Sequence, residues 1–511
     1  MVAEFTRAGL WPHTTFSAVL AQVAAALPEK TAVVDDRTRL SYRQLDRLAS
    51  RAAAGLRELG VQAGEVVSSI LPNRAEAVVL FYAVDRLGAR LNPIVPIYGA
   101  REIRFILRQG ESVLAIVPAR FRSTDLPGLI DHLQRDIPTL RGTLVLGDSF
   151  GLPCERETSG HAEAIRDPND VSVILYTSGT TADPKGVLHS NNTLLAECQS
   201  MIRYHGLDGH HVFVMPSPVG HISGLLYGIM LPIVLGATSV LMETWDPERF
   251  LTLIARERGT YSAGATPFLQ GVLDCPTLEQ YDLHSLELFP CGGADVPPDL
   301  IRRAIQRLGV RSGRGYGSTE FPSITSSAGP DVPDGKRAAT DGAPISPNAI
   351  ELRDGEVWAR GPELCLGYRD ASLNDDAFDE RGFFRTGDCG VIDADGYLTI
   401  TGRIKDIIIR RGEKFSAKEI EDLLFEHPQV RSVAVVPWPD PAVGERACAV
   451  VVPAEAGNPP SLGELVRFLE ACGLSRRKLP ERLVVVDDLP MTASGKVQKT
   501  ILRERILGEA R

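Results

Sequence analysis

Strand-sized apolar runs alternate with helix-like stretches over roughly the first 350 residues, and this alternation limits the chain to a layered α/β body with largely parallel strand pairing. The runs at 171–176, 212–215 and 238–241 are rich in Val, Ile and Leu and read as buried strands. The stretches 247–256 and 298–308 open on Pro and carry helical spacing. Residues 41–60 spell out one helix: Ser41 and Gln44 make a capping-box pair, Leu45, Leu48, Ala52, Leu56 and Leu59 share a stripe, and Gly60 suits the stop. After about residue 350 short strands and Asp-Gly turns take over, at 350–353, 356–359 and 397–401, as in an antiparallel meander. After Arg403 the texture changes again. Ser416, with Glu419 as capping-box partner, opens a helix; 433–437 and 447–452 read as strands and 462–471 as a helix. At 511 residues the chain exceeds what one core of roughly 250–300 residues can hold, so several lobes are expected.

Charge and cysteine usage remove several classes of function. A formal net charge of -10 carries no nucleic-acid footprint, so an anionic ligand must be met by local cations and backbone N–H groups. The eight cysteines are scattered without a C-x-x-C pair, which points away from zinc and disulfides and toward a reducing cytoplasm. Residues 1–12 lack the basic start and apolar run of a signal peptide. The most apolar stretch, 222–240, is broken by Gly224, Gly228, Pro232 and Gly236 and reads as core rather than a membrane span.

The strongest local signal is Tyr176-Thr177-Ser178-Gly179-Thr180-Thr181-Ala182-Asp183-Pro184-Lys185-Gly186. A buried strand runs into a loop of small hydroxyl residues that ends in a cation. Backbone N–H groups and hydroxyls can wrap phosphate oxygens there, with Lys185 as a point charge. It is not a Walker A loop, which needs Gly-Lys followed by Ser or Thr. This segment resembles the signature loop of the adenylate-forming superfamily of acyl-CoA synthetases, peptide-synthetase adenylation domains and luciferases. Four further motifs follow in the family's order: Gly315-Tyr316-Gly317-Ser318-Thr319-Glu320, Arg385-Thr386-Gly387-Asp388, the segment from Gly402 through Arg403 and Lys405 to Glu413, and Ser494-Gly495-Lys496.

The chemistry that the resemblance implies needs these residue types. Attack of a carboxylate on the α-phosphate of ATP brings two anions together, so charge neutralisation is the main task. The resemblance makes Lys496, Glu320, His221 and Thr180 the catalytic set, with Glu320 as the Mg²⁺ carboxylate. ATP and AMP are assigned to Thr177, Ser178, Gly179, Thr180, Thr181, Lys185, Gly293, Ala294, Asp295, Tyr316, Gly317, Ser318, Thr319, Asp388, Ile400 and Arg403. Among these an ionised Asp388 suits both ribose hydroxyls. It further implies a domain at 1–403 for acid and ATP, a hinge at 404–406 with Lys405 as pivot, and a small, mobile α+β lid at 407–511. The first domain would combine layered α/β lobes with a small barrel-like β lobe.

The acyl pocket falls on His221, Ile222, Gly224, Tyr227, Thr266, Gly292 and Gly315. The segment 214–227 has no acidic residue to hold an α-ammonium, which disfavours an amino acid. The local texture of 220–224, 264–268 and 316–320 is similar to short- and medium-chain acyl-CoA synthetases and cyclohexanecarboxylate-CoA ligases. That implies a fatty, alicyclic or polycyclic acid. Coenzyme A contacts are expected at Arg411, Gly412, Glu413, Lys414, Arg446 and Lys478. Expected partners are the acid, ATP and CoA, with a homodimer and a partner adenylating enzyme left open. Two positions depart from the family pattern: Ala182 stands where Gly is usual, and Arg411 precedes Gly412-Glu413 where Gly-Gly-Glu is usual. Competing with a complete acyl-CoA ligase are an enzyme specialised for one half-reaction or for loading a separate carrier protein, a non-catalytic nucleotide-binding protein, and, remotely, a luciferase-like oxygenase.

Overall fold

The structure, a computed structural model, describes residues 2–147, 166–177, 184–410, 413–440, 442–492 and 495–508. Ser178, Gly179, Thr180, Thr181, Ala182, Arg411, Gly412 and Ser494 lie outside the described residues.

Two mostly parallel sheets build the large α/β part. One has seven strands in the order Gly367–Tyr368, Lys185–Ser190, Val171–Thr177, Arg90–Pro93, Val66–Ser69, Ser112–Pro118, Gly142–Leu146. The last five are parallel, and the first two add antiparallel. The other runs Arg39–Ser41, Thr31–Val34, Thr238–Leu241, Val212–Met215 and continues through bridges at Tyr261 to Leu288–Gly292 and Arg311–Tyr316. Helix Ala75–Leu87 is buried along its whole length and shares one core with strand residues of both sheets. Its sequence, apolar on every face, permits that central position.

Helix Tyr42–Glu58 carries the expected capping box, with Ser41 and Gln44 each accepting from the other's backbone N–H. Its stripe ends early, because Leu59 is 50% exposed one residue past the helix. Strands Val212–Met215 and Thr238–Leu241 and helices Pro298–Leu308 and Leu462–Ala471 have the expected bounds. The lobe expected to be barrel-like is an open antiparallel sheet of four strands, ordered Ala349–Arg353, Glu356–Arg360, Phe384–Ile392, Leu398–Arg403.

The turn Ile404–Asp406 links that sheet to a separate C-terminal sheet of Glu413–Ser416, Ile407–Arg410, Gly444–Pro453, Val430–Asp440 and Arg482–Val485. Helix Ala417–Leu424 is capped by Ser416 through the Lys418 N–H alone. Glu419 does not close a capping box. Its carboxylate is held by Lys478 at 2.6 and 2.8 Å, since an ammonium outcompetes a backbone N–H as donor. No helix among the described residues is long and apolar enough to cross a membrane.

The segment 222–240 is core, as its composition required: helix Ile222–Leu225, a π-helical turn Leu226–Met230, helix Leu231–Val234 and strand Thr238–Leu241. Gly224 is fixed by close backbone approach. A Cβ there would lie 2.1 Å from the Pro218 carbonyl oxygen and 2.5 Å from that of Ser217. A side chain grafted at Gly224 would therefore meet main chain. Gly224→Ala is expected to lose about 1–3 kcal/mol from overpacking. Gly335→Ala, where a Cβ meets nothing within 4 Å, serves as the neutral comparison in the same urea titration. Equal midpoints for the two variants would refute the assignment.

Candidate active site

The site forms where three sheets meet at their loop ends, and local structure explains how each side chain reaches it. Strands Val171–Thr177 and Lys185–Ser190, which flank the hydroxyl-rich segment, pair antiparallel with Thr177 in register with Lys185. The Lys185 ammonium lies 4.9 Å from the centre of the Tyr368 ring, whose hydroxyl donates to Glu320 at 2.8 Å. Tyr368 sits on the adjoining strand Gly367–Tyr368, so sheet pairing brings cation, ring and carboxylate together. Glu320 is buried. Burial and Glu320 both push the Tyr368 phenol up, so it stays a donor.

The turn holding Glu320 follows strand Arg311–Tyr316 and is braced on both sides. Ser318 N–H donates to the Phe321 carbonyl at 2.9 Å, and Cys365 N–H donates to the Glu320 carbonyl at 2.8 Å. His189, fully buried, places Nε2 2.8 Å from the Thr319 carbonyl and Nδ1 3.1 Å from the Thr193 hydroxyl. Burial pushes His189 down to about 4, so the ring is neutral and its one N–H is free for that carbonyl.

Asp388 and Arg403 are cross-strand partners of Phe384–Ile392 and Leu398–Arg403, which places their side chains on one face. Arg403 Nε donates to Asp388 Oδ1 at 2.9 Å, and the Tyr316 hydroxyl donates to Oδ2 at 2.9 Å. Asp388 raises Arg403 electrostatically, so the guanidinium keeps its charge. Ile400 lies on the same strand and is pinned by its N–H to Asp341 at 2.7 Å. The turn after Leu288–Gly292 presents Gly293, with φ +78, then Ala294 and Asp295. The Thr266 hydroxyl donates to the Asp295 carbonyl at 2.5 Å and so ties that turn to helix Thr266–Leu273.

The C-terminal lobe completes the cleft. Gly495, at φ +81, packs its α-carbon against Pro267 and Ala265: a Cβ there would lie 3.1 and 3.3 Å from their side chains. The next residue, Lys496, enters among Arg403, Asp388, Glu320 and Asp295, and it acts electrostatically on His221. Burial, with Arg403 nearby, lowers the amine to about 8. Burial, with Lys496 nearby, lowers His221 to about 3, so it is a neutral ring, 3.1 Å from the Ser223 hydroxyl. Lys418 bridges the lobes as well, 3.4 Å from Asp295.

Close backbone packing accounts for two of the expected glycines. Gly292 and Gly317 are glycine because of main-chain proximity: a Cβ would lie 2.3 Å from the Gly315 oxygen and 1.9 Å from the Pro322 oxygen respectively. Around Gly315 the nearest such atom is 3.9 Å away, which leaves it facing open space. Arg446 is engaged by Asp440 and Glu481, Lys478 by Glu419, and Glu413 by Arg477, all within the C-terminal lobe. Lys414 and Lys405 are exposed. His189 and Tyr368 were missed from sequence. His189 follows Lys185 by four residues in one strand, so the strand alternation that sets Lys185 also sets its face.

With this geometry fixed, the chain can be compared with known proteins. A family model described as AMP-binding enzyme matches residues 20–369, and one described as AMP-binding enzyme C-terminal domain matches 419–496. The chain belongs to the AMP-binding enzyme family. It is similar to the medium-chain fatty-acid–CoA ligase of Escherichia coli (strain K12), with 33% identity covering 99% of this chain and 93% of that one. It is also similar to the 2,3-dihydroxybenzoate-AMP ligase of Bacillus subtilis (strain 168), at 31% identity over 99% and 96%. Among solved structures, the anthranilate CoA ligase AuaEII in complex with anthranoyl-AMP superposes with a TM-score of 0.90 at 25% identity, covering 98% of both chains.

As an ATP-dependent, adenylate-forming ligase the chain needs a place for ATP and, typically for the family, Mg²⁺. One buried carboxylate, Glu320, with a hydroxyl donor already on one oxygen, fits Mg²⁺, which takes one or two carboxylates and otherwise keeps waters and phosphate oxygens. Among the described residues there is no group of three His, Cys, Asp or Glu that could hold a metal ion. A lysine at about 8 gives adenylation a sign in pH. The cation is present below that value and lost above it, so acid-dependent pyrophosphate release at subsaturating ATP is expected to fall as pH rises through about 8. Release that keeps rising to pH 10 would place the needed charge elsewhere.

Proposed function

We propose that this protein is an acid–CoA ligase. The carboxylate oxygen of the acid attacks the α-phosphorus of ATP, pyrophosphate leaves, and an acyl-adenylate forms. A thiolate then attacks the acyl carbonyl and AMP leaves with the electron pair of the broken C–O bond. The observation that carries this reading is the delivery of Lys496, by the C-terminal lobe, into the cleft already holding Asp388, Glu320 and His221. A cation there offsets the charge of two anions brought together, where a largely dry site strengthens its effect.

Each residue then has a defined task. Asp388 accepts from the ribose hydroxyls while Arg403 and Tyr316 hold it in place. Thr177, Lys185 and Thr319 face the phosphates, Gly293–Asp295 the adenine edge, and neutral His221 the acid's carboxylate. Bound Mg²⁺ would neutralise phosphate charge beside Glu320. Ile222, Tyr227 and Gly315 wall an acyl pocket for an acid with an apolar fatty or alicyclic body. The segment 404–406 is the pivot by which the C-terminal lobe exchanges faces between the two steps, with Arg503 donating to Asp406 at 2.9 Å and to the Lys405 carbonyl at 3.4 Å.

CoA as acceptor is supported by relatives named as CoA ligases. The cation contacts first expected at Arg446 and Lys478 are engaged in ion pairs in this arrangement of the lobes. A second reading, an enzyme that stops at the adenylate or passes the acyl group to a carrier, is favoured by the similarity to an aryl-AMP ligase.

Two variants test the assignment. Lys496→Ala is expected to abolish pyrophosphate release yet leave thiolysis of supplied acyl-AMP largely intact, as read by mass spectrometry of the CoA thioester. Loss of both steps in equal measure would refute a role confined to the first. Asp388→Ala removes a charged acceptor common to both steps and is expected to weaken each by roughly 1.5–3 kcal/mol. Unaltered affinities for ATP and acyl-AMP would place the ribose elsewhere.

A further inference from the structure

Behind Tyr227 lies a cluster of buried polar groups that the adenylation chemistry does not use. Helix Asn191–His205 contributes Glu197, 1% exposed, and the loop at 361–366 contributes Glu363, 0% exposed. The Ser200 hydroxyl donates to Glu363 Oε1 at 2.5 Å, and Asn348 Nδ2 donates to the Ser323 carbonyl at 2.9 Å. The Tyr227 and Ser323 hydroxyls lie 3.1 Å apart, and both adjoin Glu197. Both carboxyl oxygens of Glu197, Glu363 Oε2, Asn348 Oδ1 and the Tyr261 hydroxyl lack a hydrogen-bond partner among the described residues. Native interiors leave few such atoms, and two carboxyl groups buried side by side are costly unless something uses them. Burial and Glu363 push Glu197 up, and burial pushes Glu363 up, so the pair holds a proton more tightly than two solvated carboxyl groups would.

The position of the cluster gives it a use. Tyr227 follows His221 by six residues on one helical segment, about 9 Å at 1.5 Å per residue. The π-helical turn Leu226–Met230 begins at the residue before it, a local widening often found at functional sites. Ser323 follows Glu320 by three residues. The cluster thus lies behind Tyr227, a residue of the proposed acyl wall, and one helical segment away from His221. When one of these hydroxyls donates to the other and the second turns its proton to the unpartnered Glu197, the first hydroxyl's oxygen is left as an acceptor toward the pocket.

We propose that Tyr227, Ser323 and Glu197 form a polar floor to the acyl pocket that selects acids carrying a hydroxyl or amino donor at their far end. Glu197 acts as a positioning residue, orienting the two hydroxyls. This specificity rests on the acid-ligase reading above and is independent of which thiol receives the acyl group.

Pyrophosphate release is measured with matched acids, ring and linear, in which a distal methyl is replaced by hydroxyl or amino. The hydroxyl or amino member is expected to be favoured by about tenfold or more in kcat/KM in at least one pair, because a site built around polar groups rejects a partner that leaves them unpaired. Glu197→Leu and Tyr227→Phe are expected to erase that preference, and Glu197→Gln, which keeps an acceptor, to retain most of it. A merely structural role would depress both members of a pair alike. If Glu197→Leu does not fold, Tyr227→Phe and Ser323→Ala carry the test. Calorimetric binding of the matched acyl-sulfamoyl-adenosines is expected to give the same ratio without turnover. Equal or methyl-favouring ratios in every pair would overturn the polar floor, as would an unchanged ratio in the folded variants. Normal ratios with no CoA thioester formed would uphold it and refute only CoA as acceptor. No pyrophosphate release and no analogue binding with any acid would overturn the ligase reading and the floor with it.

Discussion

The site depends on one arrangement of charge: a lysine from the end of the chain standing among carboxylates that belong to a different lobe. Lys496 is useful only because Asp388, Glu320 and Asp295 offset the cost of enclosing its ammonium, while Arg403 beside it keeps the amine from binding its proton too tightly. Much of the surrounding architecture holds these partners in place. The antiparallel sheet fixes Asp388 against Arg403, the braced turn after Arg311–Tyr316 fixes Glu320, and Gly495 seats the incoming turn on Pro267.

Local grammar made the elements legible. Where a strand or helix is bounded by residues with one conformational meaning, as at 212–215, 298–308 or 462–471, the observed bounds are those expected. The motif residues Lys185, Glu320, Asp388 and Lys496 were also legible, through the resemblance of their segments to a known family. What escaped depends on distant partners. Glu419 has the spacing of a capping-box residue, but Lys478, far along the chain, claims it. His189 and Tyr368 act through neighbours that only the hairpin and its added strand bring close. The need for glycine at position 224 also escaped, because it comes from the carbonyls of Ser217 and Pro218, which occupy the space of a Cβ.

The same distinction separates the two ends of the acyl pocket. Its composition is apolar, and sequence alone suggested a plain hydrocarbon tenant. Glu197 and Glu363 sit in segments that look like ordinary helix and loop, 166 positions apart, and their proximity arises only from folding. Buried carboxyl groups in an otherwise oily wall are a property of the tertiary structure, one that composition averages away.

Arg403 has a second neighbour of interest: it is the last residue of its strand, and Ile404 begins the turn that links the two lobes. The side chain that steadies Asp388 is thus anchored one peptide bond from the turn between the lobes. Whatever loads Asp388 is felt by Arg403, and Arg403 is where that turn is fastened. On the proposed reading, nucleotide occupancy and rotational freedom are therefore not independent settings; each is the other's boundary condition.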